Sequence, residues 1–174
     1  IGLTAAHVGA AAAQGLAPTA AFVQAGGTGE PKVAAVSVGV LWPWSWRSTL
    51  LGAEVSAQTE LYASHLDARQ ASGGRRAFVQ LGLVPLLRLR PAGGRSPWFV
   101  EGGIGLSVMD RRFESDDKAF STRWNFSDNL ALGRSFGERR QHEVSLRWQH
   151  SSNAGFKKPN PGLDLLLVRY TAYF

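Results

Sequence analysis

The stretch Glu143-Val144-Ser145-Leu146-Arg147-Trp148-Gln149-His150 alternates polar and apolar residues. Side chains of an extended chain point alternately to opposite faces. Val144, Leu146 and Trp148 therefore share one face, and Glu143, Ser145, Arg147 and Gln149 share the other. The same period recurs upstream. Leu51, Ala53, Val55 and Ala57 oppose Glu54, Ser56, Gln58 and Glu60, while Trp98, Val100, Ile104, Leu106 and Val108 oppose Glu101 and Ser107. Eight such segments are predicted, at 18–28, 33–43, 48–63, 76–90, 97–112, 123–136, 141–153 and 164–174, separated by clusters of Gly, Pro, Ser or charge. The expected class is all-β.

A chain of 174 residues fits one domain, and no linker or repeat divides it. The absence of cysteine rules out disulfides, thiolate nucleophiles and cysteine-ligated metals. A formal charge of +6 asks for an anionic partner, such as nucleic acid, a membrane surface or a phosphorylated lipid. Residues 1–17 are alanine-rich and poor in charge, with small residues at Gly15 and Ala17. They are expected to be a signal-peptide remnant preceding a single barrel domain over 18–174. No stretch offers the ~18 unbroken apolar residues of a membrane helix, but a β-barrel needs only strands of about ten residues.

A soluble sandwich and a membrane barrel share this alternation and differ in which face meets solvent. The aromatic residues favour the membrane. Trp42, Trp44 and Trp46 cluster beside the second connection, and Tyr170, Tyr173 and Phe174 end the chain, as interfacial girdles do. An eight-stranded antiparallel transmembrane barrel in a bacterial outer membrane is expected. Carboxylates and arginines would then pair inside a narrow lumen. With both termini periplasmic, the turns near Pro43 to Arg47, Pro91 to Ser96 and Gly137 to Arg140 are periplasmic. The longer loops around 64–75, 113–122 and 154–163 are external. Lys32, Arg69, Arg75, Arg76, Arg111, Arg112, Lys118, Arg123, Lys157 and Lys158 lie at or near that outer rim, where lipid phosphates would be met or water would solvate them. No aromatic-interleaved basic groove points to nucleic acid.

His150 and Ser152 are two apart on the seventh strand, so both share the face of Leu146 and Trp148. Asp164 shares parity with Leu166, Val168 and Tyr170 on the last strand, and Asp128 on the sixth is outward by the same count. Polar groups on an apolar exterior are costly without a use. Serine as nucleophile, histidine as base and a carboxylate as orienter would supply one. Interfacial polar residues capping the girdle are the alternative.

The run His150-Ser151-Ser152-Asn153-Ala154-Gly155-Phe156-Lys157-Lys158-Pro159-Asn160 closely resembles the signature of the PagL family of lipid A 3-O-deacylases. Weaker similarity covers Phe99 to Gly105, Asn125 to Asp128 and the strand order. The resemblance implies an eight-stranded outer-membrane barrel that removes the ester-linked 3-hydroxyacyl chain at position 3 of lipid A in lipopolysaccharide. It places the catalytic histidine at His150 and the serine nucleophile at Ser152. The family usually has glutamate where this chain has Asp164; Asp164 is the expected third group, one methylene shorter, and Asp128 is the alternative or a support to the site. Asn160, with the backbone amides of Ala154 and Gly155, is expected to stabilise the oxyanion, and Lys157 and Lys158 to bind substrate. Turn-forming roles suit Asn153 and Asn160 equally.

Gly103-Ile104-Gly105 lacks the strand-to-helix setting of a nucleotide loop and reads as a packing site. Asp116 and Asp117, and likewise His65 and His142, lack metal-ligand spacing, so no metal and no cofactor is expected. The sequence leaves a homodimer open. Two functional classes follow: a serine esterase of lipid A, or a structural or adhesive small barrel without catalysis. A phospholipase of the same triad type has less need of so basic a rim.

Overall fold

A computed structural model describes residues 17–29 and 32–174; apart from Ala17, the expected signal remnant lies outside them. Eight strands form: β1 (Ala20–Gly27), β2 (Val33–Leu50), β3 (Ala53–Arg69), β4 (Arg75–Arg90), β5 (Trp98–Met109), β6 (Trp124–Phe136), β7 (His142–Ser152) and β8 (Leu163–Tyr173). Each pairs antiparallel with the next, and β8 returns to β1 from Ala20↔Tyr173 to Gly27↔Leu166. The ring is closed and leaves no unpaired edge.

The two faces are sorted as period two requires. Along β7, Glu143, Ser145, Arg147 and Gln149 are buried in the lumen, whereas Val144, Leu146 and Trp148 are exposed on the outer wall. An exposed apolar wall around a polar interior inverts a soluble fold and suits hydrocarbon. At the centre of the lumen Arg147 is fully buried. It donates to Glu101 at 2.7 Å and to Asn129 at 3.0 Å, with Glu60 at 3.4 Å. Arg88 joins Glu101 to Glu143, and Arg169 joins Glu60 to Gln24. These pairs fill the lumen with matched charge.

The lumen is not polar throughout. Towards the end away from the termini, Leu66, Phe78, Met109, Phe113, Phe120, Leu163, Leu165 and Leu167 form a buried apolar cluster. The run Leu163 to Val168 is apolar at every position but Asp164, so its inward half is apolar too.

The second connection departs from expectation. Instead of turning at Pro43 to Arg47, β2 continues to Leu50 and the chain reverses at Leu51–Gly52, both with positive φ. Pro43, which cannot donate to a ladder, sits at a register shift between Pro43 and Arg47, so the chain bulges there rather than turning. Trp44 and Trp46 consequently project from a strand, with the Trp44 indole donating to Thr59. The expected loop at 64–75 is shorter, because β3 runs to Arg69 and β4 begins at Arg75. The glycines of β5 pack as expected. A Cβ at Gly103 or Gly105 would meet the Pro85 or Leu83 carbonyl of β4.

Candidate active site

β7 carries the site because its two neighbours bring polar groups to the same height. In the ladders His150 stands opposite Asp128 of β6 and Asp164 of β8, while Ser152 stands opposite Phe126. All lie on the outer wall, at the end away from the termini. Parity separates the two adjacent serines: Ser151 is buried in the lumen within 3.4 Å of the Gln80 amide, whereas Ser152 is partly exposed outside.

The structure joins His150 to Asp164 and not to Asp128. His150 Nδ1 lies 2.9 Å from Asp164 Oδ1. An ionised carboxylate can only accept, so Nδ1 carries the hydrogen and Nε2 is left with its lone pair. Asp128 forms no hydrogen bond with the imidazole, although the ladder places it equally near in register. The side chains of His150 and Asp164 are 26% and 55% exposed, so the pair opens onto whatever surrounds the barrel.

Ser152 Oγ accepts from the Ala154 amide at 3.4 Å and makes no hydrogen bond to His150. Residues i and i+2 of a strand stand about 6.6 Å apart along the chain, and a catalytic hydrogen bond of this kind commonly tightens only around substrate.

Asn153 organises the following turn. Its side chain donates to Ser121 at 3.0 Å, Thr122 at 3.1 Å and the Lys157 carbonyl at 2.9 Å, and accepts from the Gly155 amide at 3.0 Å. The Asn153 amide in turn donates to Asn160 Oδ1 at 3.0 Å. Of the three expected oxyanion donors, the Gly155 N–H is thus held by Asn153 and Asn160 is engaged through its oxygen. The Ala154 N–H points at Ser152 Oγ.

Ion pairs thin the basic rim. Lys32 pairs with Asp117, Arg69 with Asp116, Arg75 with Asp67, Arg76 with Glu114 and Arg111 with Asp110. Lys118 donates to the Gly162 carbonyl and Arg123 to the Met109 carbonyl. The side chains of Arg112, Lys157 and Lys158 make no hydrogen bond or ion pair among the described residues, and both lysines sit in the turn that follows Ser152.

Beside the serine the wall is aromatic and apolar. Trp124, Phe126 and Phe156 cluster with ring centroids 6.0–6.3 Å apart. Trp124 also borders a shallow groove lined by Leu61, Leu81, Leu83, Leu106 and Val108. Sequence reasoning placed Trp148 on this face without a role and passed over Gly162. Both touch the imidazole: Trp148 stacks on it, and a Cβ at Gly162 would stand 2.7 Å from its Cε1. The i, i+2 spacing of Trp148 and His150 was visible, whereas the approach of Gly162 depends on how the turn folds back.

A closed barrel with charged residues in its lumen and an apolar outer wall defines a class, the outer-membrane β-barrels. The family of lipid A 3-O-deacylases, PagL, matches residues 33–172. The chain belongs to that family. It is 38% identical over 77 residues to the lipid A deacylase PagL of Bordetella bronchiseptica, covering 44% of this chain and 42% of that one. It is also 28% identical over 135 residues to the PagL of Pseudomonas aeruginosa, covering 76% and 74%. The crystal structure of the outer membrane enzyme PagL superposes with a TM-score of 0.72 at 22% identity, over 89% of this chain and 99% of that chain. Membership of a hydrolase family sets aside the non-catalytic barrel.

Proposed function

We propose that this chain hydrolyses the ester at position 3 of lipid A from within the outer leaflet, with Ser152 as nucleophile, His150 as general base and acid, and Asp164 as orienter. The observation that carries the reading is the 2.9 Å contact between His150 Nδ1 and Asp164 Oδ1 on the outer wall, beside an outward serine. Nε2 takes the proton as Ser152 Oγ attacks the acyl carbonyl. The Ala154 N–H, with the Asn160 side-chain amide, meets the oxyanion. Collapse releases the sugar hydroxyl, which receives the proton from the imidazolium. Water then attacks the acyl-serine with His150 again as base, freeing a 3-hydroxy fatty acid. Asp164 stabilises the imidazolium without taking up its proton.

Binding follows from what surrounds the serine. The free cations Lys157, Lys158 and Arg112 suit the lipid A phosphates, and the Phe126 face with the Trp124 groove suits an acyl chain. In this orientation the termini face the periplasm and the catalytic end faces outward.

Mass spectrometry of lipid A incubated with purified protein tests the reading. Wild-type protein should remove one 3-hydroxyacyl unit, and Ser152→Ala and His150→Ala should leave the spectrum unchanged while still migrating as folded, heat-modifiable barrels. Deacylation by either variant would overturn it.

A further inference from the structure

An imidazole on a lipid-facing wall has little to hold it. Rotation about its terminal torsion is broad and roughly two-fold, and hydrocarbon offers no hydrogen bond to select one orientation. Yet only the orientation with Nδ1 at the carboxylate leaves Nε2 free to act. Asp164, more than half exposed, needs fixing as well.

Two residues outside the triad supply those constraints. The Trp148 indole lies against the His150 ring with centroids 5.8 Å apart and planes 22° from parallel. Its Nε1–H donates to Asp164 Oδ1 at 3.1 Å, the same oxygen that accepts from His150 Nδ1 at 2.9 Å. A tryptophan serving only as an interfacial anchor would turn its N–H towards headgroups or water. This one turns it to the orienting carboxylate. Gly162, at the end of the β7–β8 connection, has φ +69° and its carbonyl is held by Lys118 Nζ at 2.9 Å. A Cβ at that position would stand 2.7 Å from His150 Cε1, 3.4 Å from Nε2 and 3.6 Å from Nδ1. The glycine is therefore favoured twice over, by its backbone conformation and by the ring it admits.

We infer that Trp148 and Gly162 are positioning residues that clamp the catalytic base: Trp148 fixes the carboxylate and the ring plane, and the Gly162 backbone sets the ring's place against the turn. The inference rests on His150 being the base. Its consequence is that the base stays aligned through acylation and deacylation although one side of it meets lipid.

Two substitutions separate the clamp from its surroundings. Trp148→Phe keeps an aromatic ring at the interface while removing the N–H donor and the pyrrole half of the indole that lies against the imidazole. Gly162→Ala adds one methyl against the imidazole, and Gly73→Ala is its control, because Gly73 has φ +87° and no atom within 4 Å of an added Cβ. The readouts are kcat and KM on lipid A in detergent, and the Cε1–H resonance of His150 in protein carrying ¹³C-labelled histidine, with His142 as internal reference.

Loss of one hydrogen bond should lower kcat of Trp148→Phe about tenfold with KM unchanged. Displacement of the ring by Gly162→Ala should cost about a hundredfold in kcat. Both should move the His150 resonance and leave that of His142 in place, and Gly73→Ala should do neither. An unmoved resonance with wild-type kcat in Trp148→Phe, or a Gly162→Ala no worse than Gly73→Ala, would overturn the clamp. So would a change confined to KM. Should Gly162→Ala fail to fold, Lys118→Met releases the Gly162 carbonyl without adding an atom beside the ring. A moved resonance there supports the clamp and an unmoved one refutes it. Activity surviving in His150→Ala would instead condemn the base assignment, and the resonance would still report whether the ring is clamped.

Discussion

Ser151 and Ser152 are adjacent in the chain and lie on opposite sides of the barrel wall. The first is buried in the lumen beside Gln80, and the second is outside beside the His150–Asp164 pair. Ser152→Ala should therefore remove activity by on the order of 10⁴-fold or more, the scale seen when a nucleophile is lost. Ser151→Ala should leave kcat within about twofold, since it forfeits only one weak internal hydrogen bond. Kinetics on both purified variants decides the matter, and a silent Ser152→Ala would remove the nucleophile from the wall.

Two carboxylates face His150 across its two ladders, and only Asp164 touches it. Asp164→Asn should lower kcat by about 10²- to 10⁴-fold while keeping the fold, because nucleophile and base remain. Asp164→Glu, the residue usual in the family, should keep substantial activity. Asp128→Asn should change little. A crippled Asp128→Asn beside a silent Asp164→Asn would move the orienter to β6.

Among the described residues Lys157 and Lys158 are unpaired, whereas five of the ten rim cations are neutralised by a carboxylate. Replacing either with alanine should raise KM by roughly two- to fivefold, the scale of one exposed charge contact, and flatten its dependence on salt. Initial rates across a salt series would show this. Arg69→Ala and Arg75→Ala should affect KM less, since their charges are already spent on Asp116 and Asp67.

The Arg147 side chain lies in the lumen, away from the His150–Asp164 pair, and its loss should be felt most in stability. Removing it leaves Glu60 and Glu101 crowded in the lumen with one partner fewer, and breaking such a buried pair costs about 3–5 kcal/mol. Arg147→Ala should lower the unfolding free energy by that amount and the denaturant midpoint with it, whereas His150→Ala, on the outer wall, should shift the midpoint little. Equal midpoints would mean that the lumen charges are screened by water.

The loop over 110–123 carries a pH-sensitive ion pair. The Lys32 ammonium, 3.0 Å away, holds the Asp117 carboxyl below the ordinary carboxylate range, and Ser115 adds a second donor. A depressed carboxyl stabilises the fold above its unfolded value and loses that contribution only as pH falls through the lowered one. A carboxyl-carbon NMR titration should find Asp117 protonating at lower pH than in Lys32→Ala. Coincident titrations would show the pair to be open in solution.

Much of this molecule is decided by period two. The alternation in β3, β5 and β7 fixed which of their residues face outward, His150 and Ser152 among them, and Asp164 shares the outward count of Leu166, Val168 and Tyr170 on β8, because parity along a strand is a local property. Closure of the ring was legible too, since eight such segments have no other way to satisfy their backbones in lipid. Where alternation stops, the sequence is silent. The bulge that carries β2 past Pro43 to Leu50 was hidden because a proline among tryptophans reads as a turn. The apolar plug of Leu163, Leu165 and Leu167 was hidden because every position from Leu163 to Val168 but Asp164 is apolar, so hydropathy does not distinguish the two faces.

Contacts between strands belong to the tertiary structure alone. Asp128 and Asp164 are alike in sequence terms, outward carboxylates on the strands flanking β7, and only side-chain geometry gives the imidazole to Asp164. The same holds for Gly162, whose value lies in a ring that reaches it only because the turn after Ser152 folds back. Local pattern sets the face a side chain takes, through the fixed geometry of one strand. Which neighbour it meets on that face depends on register, turn conformation and rotamer, and these are set by the closed barrel as a whole.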